Sequence, residues 1–365
     1  MAGLTPAQDD HARALHKEAI IITCHDHIPP PVDLSDLRAG GITAKFALVS
    51  TDADVQAPDR GAFLESIHQQ QGWCTRMLGV FDGALNAVES HPAEMTLARS
   101  AADVLNAKRT GKVAILLGSE GGKLIEGRLD LLRTFYRLGL RQMQLTWAYS
   151  NQLSAAETEL ETAQLTDGYM APEHVIPSAP GQNAHSLTEI GREVIAEMNR
   201  LGVIVDICHL SRPAMREAMS ISQKPILAGH TTAKALGHRL PSLTDDEIRA
   251  VADQGGVIGL HFMTHMLTGR WEPQASIDEV LAQVDYIVNL GGVDVLGLGP
   301  DYNYDPEGRL SRNSRQAITF PVGLEDSSKM LNLTRALVGF GYDDEAIRKI
   351  LGGNLLRLME EVIGE

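Results

Sequence analysis

A chain of 365 residues suits one large barrel or two average domains, and 44% hydrophobic with 22% charged residues is the composition of a globular protein with a sizeable core. A formal net charge of −15 argues against nucleic acid or an anionic membrane surface as a partner, because either repels the chain. The sequence has neither a bilayer-length apolar run nor a basic-then-apolar leader in Met1 to Lys17, and Cys24, Cys74 and Cys208 lie too far apart for a disulfide framework, so a cytoplasmic protein with reduced thiols is the expectation.

In chain order, a helical stretch at Ala7 to Lys17 leads into apolar, strand-like runs that alternate with helix-period segments. The runs are Ala19 to Cys24, Ile42 to Val49, Val113 to Gly118, Arg141 to Thr146, Val203 to Cys208, Pro225 to Ala228, Gly256 to His261 and Val293 to Gly299. Near-continuous apolar character, as in Val203-Ile204-Val205, fits parallel strands covered on both faces. Helical periodicity follows at Leu97 to Arg109, Leu187 to Leu201, Asp245 to Gln254, Ile277 to Asn289 and Leu331 to Val338. Ser186 and Ser242 each stand three residues before an acid, which marks them as helix N-caps.

Eight such runs predict an α/β fold, a (β/α)8 TIM-type barrel formed as a single domain over residues 1–365. A doubly wound open sheet with an added helical domain is the alternative that the same pattern permits. The polar, turn-rich segments 150–185 and 303–322 follow predicted strands, which makes them loops over the C-terminal mouth.

Polar residues just past the strands form a biased set. His25 and His27 end the first run, on one face of a strand because they are two residues apart. Glu120 follows the third run, His209 the fifth, His230 the sixth and Asp301 the eighth. All six are imidazoles or carboxylates, ligand types that zinc accepts, and the strand ends of one barrel converge in space. Singly each has a bland role as a turn, cap or core residue; together they define a metal centre.

The sequence resembles the renal or membrane dipeptidases, peptidase family M19 of the amidohydrolase superfamily. The resemblance runs over almost the whole chain and is strongest at Leu117 to Gly122, Ser186 to His209, Gly229 to Ala233, Gly297 to Asp301, Gly323 to Lys329 and Ile350 to Val362. It implies two zinc ions, with Glu120 bridging them, His25 and His27 holding one, and His209 and His230 the other. It further implies that a metal-activated water attacks a small amide, and that Asp301 takes the proton from that water and hands it to the leaving amine.

Four departures concern the metal pair and the substrate. The family's first motif is usually His-x-Asp, whereas this chain has His25-Asp26-His27, which adds one positive charge to the site. Trp147 stands where the renal enzyme has a histidine for the tetrahedral oxyanion. Where the family has an arginine that clamps a dipeptide's C-terminal carboxylate, this chain has Pro241 with Arg239 two residues earlier, and Met263 replaces the assisting tyrosine. Trp147, Arg239, His261 and Met263 are the candidate substrate-binding residues, His261 as a substitute donor. The expected activity is a zinc-dependent dipeptidase; the alternatives are hydrolysis of a non-peptide amide, lactone or carbamate, or a metal-binding barrel without catalysis. A small-molecule substrate is the expected partner. Dimers are common in the family, and no patch in the sequence requires one.

Overall fold

The computed structural model describes residues 4–54, 60–157, 186–237, 242–303 and 318–364. Eight parallel strands close into a barrel: β1 Ile22–Asp26, β2 Ala44–Thr51, β3 Val113–Glu120, β4 Leu140–Gln144, β5 Ile204–Asp206, β6 Leu227–Ala233, β7 Val257–Leu260 and β8 Leu296–Leu298. Closure is direct, since Thr23 of β1 pairs with Leu298 of β8 while Ile22 pairs with Ala44 of β2 and Ala44 in turn with Ala114 of β3. The open-sheet alternative is thereby excluded. Two short strands, Met95–Leu97 and Ser242–Leu243, pair with β3 and β6 outside the barrel ring.

Each predicted run overlaps one barrel strand, because a chain covered on both faces has no polar side to spare, although five of the eight strands extend beyond the run that marked them. Alternate residues divide between two cores. Ile22, Cys24, Phe46, Leu116, Ile204, Leu227 and Val257 join Leu355, Leu358 and Met359 of the C-terminal helix Asn354–Val362. Ala47, Ile115, Val205, Ala228 and Ile258 belong to the other core, against the surrounding helices. At the bottom end, Gly352 lies so close to the backbone of Ile20 and Ile22 that a Cβ there would sit 2.5 Å from the Ile20 carbonyl oxygen. This tail closes the N-terminal end of the barrel, so chemistry is left to the C-terminal mouth.

The predicted helices form, at Pro6–Glu18, Ala101–Thr110, Glu189–Leu201, Asp245–Asp253, Ile277–Gly291 and Leu331–Phe340. Their caps differ from expectation in two places. Thr188, not Ser186, accepts from the Gly191 amide at the start of Glu189–Leu201, and Thr244, not Ser242, forms the capping box with Glu247 at the start of Asp245–Asp253. Ser186 instead donates to Glu217, and Ser242 is a strand residue. Of the two expected mouth loops, residues 158–185 and 304–317 lie outside the described residues. Among the described residues, no helix is long and apolar enough to cross a membrane.

Candidate metal centre

β1 carries His25 to the mouth, and the β1–β8 ladder continues beyond it: the Asp301 amide donates to the His25 carbonyl at 3.1 Å and the His27 amide to the Tyr302 carbonyl at 2.9 Å. These bonds bring the two imidazoles and Asp301 to one place. Both Nε2 atoms point together, 3.1 Å apart, as the i, i+2 spacing requires. From the other side, β6 supplies His230 and the turn after β5 supplies His209, whose Nε2 atoms are 2.9 Å apart.

Glu120, the last residue of β3, lies between the two pairs. Its Oε2 is 3.2 Å from His27 Nε2, and its Oε1 is 3.1 Å from His209 Nε2, 3.4 Å from His230 Nε2 and 3.5 Å from His25 Nε2. Asp301 Oδ1 faces the first pair, 3.4 Å from His27 Nε2 and 3.7 Å from His25 Nε2. The groups His25–His27–Glu120 and Glu120–His209–His230 each offer ligand atoms within 4.8 Å of one another. All six residues predicted from the strand ends therefore meet.

The backbone is strained where this happens. His209 at φ 65° and Asp301 at φ 58° adopt the left-handed conformation, which costs a non-glycine residue of order 1–3 kcal/mol where it is imposed. Close packing beneath the site comes from glycines. A Cβ on Gly299 would lie 1.8 Å from the Gly229 carbonyl oxygen, and one on Gly259 would lie 2.1 Å from the same atom, so the ends of β6, β7 and β8 approach as only bare backbone allows.

Electrostatics prepare this donor set for cations. Burial works against a charge on Glu120, yet the charge on His27 and hydrogen bonds from His209, His25 and His27 hold its carboxyl well below the usual range. Burial opposes ionisation of Asp301 as well, and His261, His25 and His27 lower it overall. His230 is driven well below the ordinary imidazole value by burial, then by His25 and His209, which keeps a lone pair available. On His27, burial is outweighed by Glu120, Asp301 and Asp26, and its pKa stands at about 9. Imidazole pairs whose Nε2 atoms face each other at about 3 Å, with an ionised carboxylate between the pairs, are the donor set that divalent metal ions take, and an ion held by His27 would displace the proton that its acidic neighbours favour there.

Supporting residues extend the site in ways the strand-end survey missed. Lys45, fully buried in β2, places Nζ 3.0 Å from Asp26 Oδ1 and 2.7 Å from the Ile28 carbonyl, with Asp33 Oδ2 at 2.5 Å, and so fixes the turn between His25 and His27 from below. Asp52, after β2, accepts from the Lys123 amide and from Asn151 Nδ2, each at 2.7 Å, and burial raises its pKa to about 6 despite Lys123 and these bonds. A lysine within the apolar run Ala44-Lys45-Phe46-Ala47 and an aspartate just past a strand were the available signals.

Of the candidate substrate residues, Trp147, His261 and Met263 lie within the described structure. Trp147 is 8% exposed and packs with Ala53, Ile67, Ala148 and Tyr149 in a small separate core. Met263 is buried and precedes helix Thr264–Thr268, its amide bonded to His261. His261 contacts Asp301, with Nε2 at 2.9 Å from Oδ2. Arg239 and Pro241 lie outside the described residues.

A parallel barrel with histidines and carboxylates converging at its C-terminal mouth defines the class as metal-dependent hydrolase. The chain matches the family described as Membrane dipeptidase (Peptidase family M19) over residues 9–363. It is 30% identical to the protein named Dipeptidase tcpJ of Claviceps purpurea (strain 20.1), over 99% of this chain and 78% of that one. It is also 30% identical to Dipeptidase 3 of Mus musculus, over 90% of this chain and 57% of that one, so it spans little more than half of the mouse protein. Among solved structures, a metallo peptidase from Rhodobacter sphaeroides liganded with a phosphinate mimic of the dipeptide L-Ala-D-Ala superposes with TM-score 0.74, 21% identity and coverage of 94% of this chain and all (100%) of that chain. This chain belongs to the membrane dipeptidase family, peptidase family M19, a family of divalent-metal hydrolases.

Proposed function

We propose that this protein hydrolyses small dipeptides with two zinc ions, His25 and His27 holding one, His209 and His230 the other, and Glu120 shared between them. The observation that carries the reading is the position of Glu120, whose carboxylate contacts the Nε2 atoms of both histidine pairs. When bound, such ions polarise a carbonyl and make a water molecule acidic near neutral pH.

The chain's own residues do the rest. Asp301, ionised and facing the cluster through Oδ1, receives the proton that water loses as its oxygen bonds to the amide carbon. As the C–N bond breaks, Asp301 returns that proton to the departing nitrogen, leaving an amine and a carboxylic acid whose own proton passes to the amine or to solvent. The left-handed backbone at Asp301 and the bond from its amide to His25 keep the proton carrier in register with the first histidine pair.

A second reading keeps the site and changes the substrate to a non-peptide amide, lactone or carbamate. It rests on Met263, an apolar buried side chain where the family resemblance calls for a tyrosine, and on Pro241 in place of a carboxylate-binding arginine. The test is hydrolysis of a dipeptide panel by zinc-loaded protein, including L-Ala-D-Ala, beside the same compounds with the C-terminal carboxylate amidated. Turnover confined to free carboxylates supports the dipeptidase. No turnover of any dipeptide at full metal loading rejects it in favour of the second reading.

A further inference from the structure

His261 follows β7 and is 2% exposed, with its backbone amide bonded to the Thr231 carbonyl at 3.0 Å. Its two ring nitrogens have different partners. Nδ1 receives the Met263 backbone amide at 3.1 Å, and Nε2 lies 2.9 Å from Asp301 Oδ2. A backbone amide only donates, so a hydrogen on Nδ1 would face another hydrogen. The ring hydrogen is therefore on Nε2, and Nε2 donates to Oδ2.

The terminal torsion of an aspartate is broad and nearly two-fold, so a carboxylate needs an external partner to present one chosen oxygen. With Oδ2 engaged by His261, the oxygen turned to the histidine cluster is Oδ1, 3.4 Å from His27 Nε2. Asn303 Nδ2 gives a weaker second restraint, 3.3 Å from Oδ1 and 2.7 Å from the Asp301 carbonyl. Because Nε2 is already committed, His261 is not the substitute donor to substrate that its sequence position suggested.

We infer that His261 is a positioning residue: its imidazole, locked in one tautomer by the Met263 amide, holds the Asp301 carboxylate so that Oδ1 meets the reacting water. The inference rests on the proposed role of Asp301 as proton carrier. It predicts sensitivity in turnover rather than in substrate or metal binding.

The experiment compares His261→Leu, which removes the donor, with His261→Gln, which retains an N–H, and with Asp301→Asn, using the dipeptide of the panel that turns over fastest. His261→Leu is expected to lower kcat by about 10- to 100-fold, the usual effect of losing an orienting partner at a metal site, with KM and zinc stoichiometry little changed. His261→Gln recovers most of that loss. Selective 15N labelling of histidine in the zinc-loaded wild-type protein should show Nδ1 of His261 without a proton and Nε2 with one, a readout independent of how the variants fold. Wild-type kcat in His261→Leu beside an inactive Asp301→Asn overturns the inference alone. Equal losses in the Leu and Gln variants, a rise in KM alone, or a protonated Nδ1 also overturn it. Activity in Asp301→Asn overturns the proton-carrier reading itself.

Discussion

Lys45→Met removes the ammonium that faces two buried carboxylates while keeping an unbranched side chain of similar length. Asp26 and Asp33 are both raised above the ordinary aspartate range, because burial exceeds the lowering by Lys45, and Asp33 stands at about 6. Without the lysine each must remain charged and unpaired or take up a proton. At pH 8, protonating a group with an ordinary pKa of about 3.9 costs about 5–6 kcal/mol at 1.36 kcal/mol per unit, which caps the cost per carboxylate. Breaking a buried pair costs about 3–5 kcal/mol, under that cap, so a loss of about 3–5 kcal/mol is expected at pH 8. At pH 5.5 the cap falls to about 2 kcal/mol per carboxylate.

The sign is that of a raised carboxyl pKa: protonation favours the folded variant, so the deficit grows as pH rises. Urea denaturation of wild type and Lys45→Met at pH 8 and pH 5.5, with chelator present throughout so that metal release does not enter, measures both terms. A deficit below about 1 kcal/mol at both pH values, or a larger one at pH 5.5, refutes the reasoning.

Gly299→Ala places a Cβ 1.8 Å from a backbone oxygen that no side-chain rotation relieves. It is expected to cost at least the 1–3 kcal/mol typical of overpacking and to weaken zinc binding, since His230 follows the opposing Gly229. Wild-type stability and zinc content in that variant would contradict the crowding seen at the strand ends. Glu197 accepts two bonds from Arg200 at 2.7 Å and one from Arg133, and these hold its pKa at about 2. A depressed carboxylate stabilises above its unfolded value near 4.5 and loses that contribution as pH falls toward 2. Glu197→Gln should therefore be less stable than wild type at pH 7, with the gap closing in acid; a gap constant from pH 7 to pH 2.5 would exclude the assignment. His209→Ala should lose one zinc of two by elemental analysis, and unchanged stoichiometry would reject His209 as a ligand.

Apolar runs revealed the barrel because a doubly covered strand leaves an unbroken hydrophobic signature, and residues at strand ends revealed the cluster because a barrel gathers those ends into one mouth. Cap positions were less legible. Ser186 and Thr188, like Ser242 and Thr244, both offer hydroxyls, and neighbouring contacts decide between them: Glu217 takes Ser186 and the short strand takes Ser242. Individual side-chain pairings outside that cluster were not legible. His261 and Asp301 are 40 residues apart, and only the adjacency of β7 and β8 makes them a pair. The same holds for Lys45, a charge within an apolar strand whose partners Asp26 and Asp33 lie in the neighbouring strand and the segment after it. The left-handed backbone at His209 and Asp301 has no sequence signal, since neither residue is glycine and each is held there by its neighbours.

Anomalous diffraction from crystals of the zinc-loaded protein, collected on both sides of the zinc edge, locates the ions without reference to activity. Two peaks are expected, flanking the Glu120 carboxylate, one bonded to His25 and His27 and the other to His209 and His230. A single peak, or zinc bound away from Glu120, would contradict the proposed two-zinc centre.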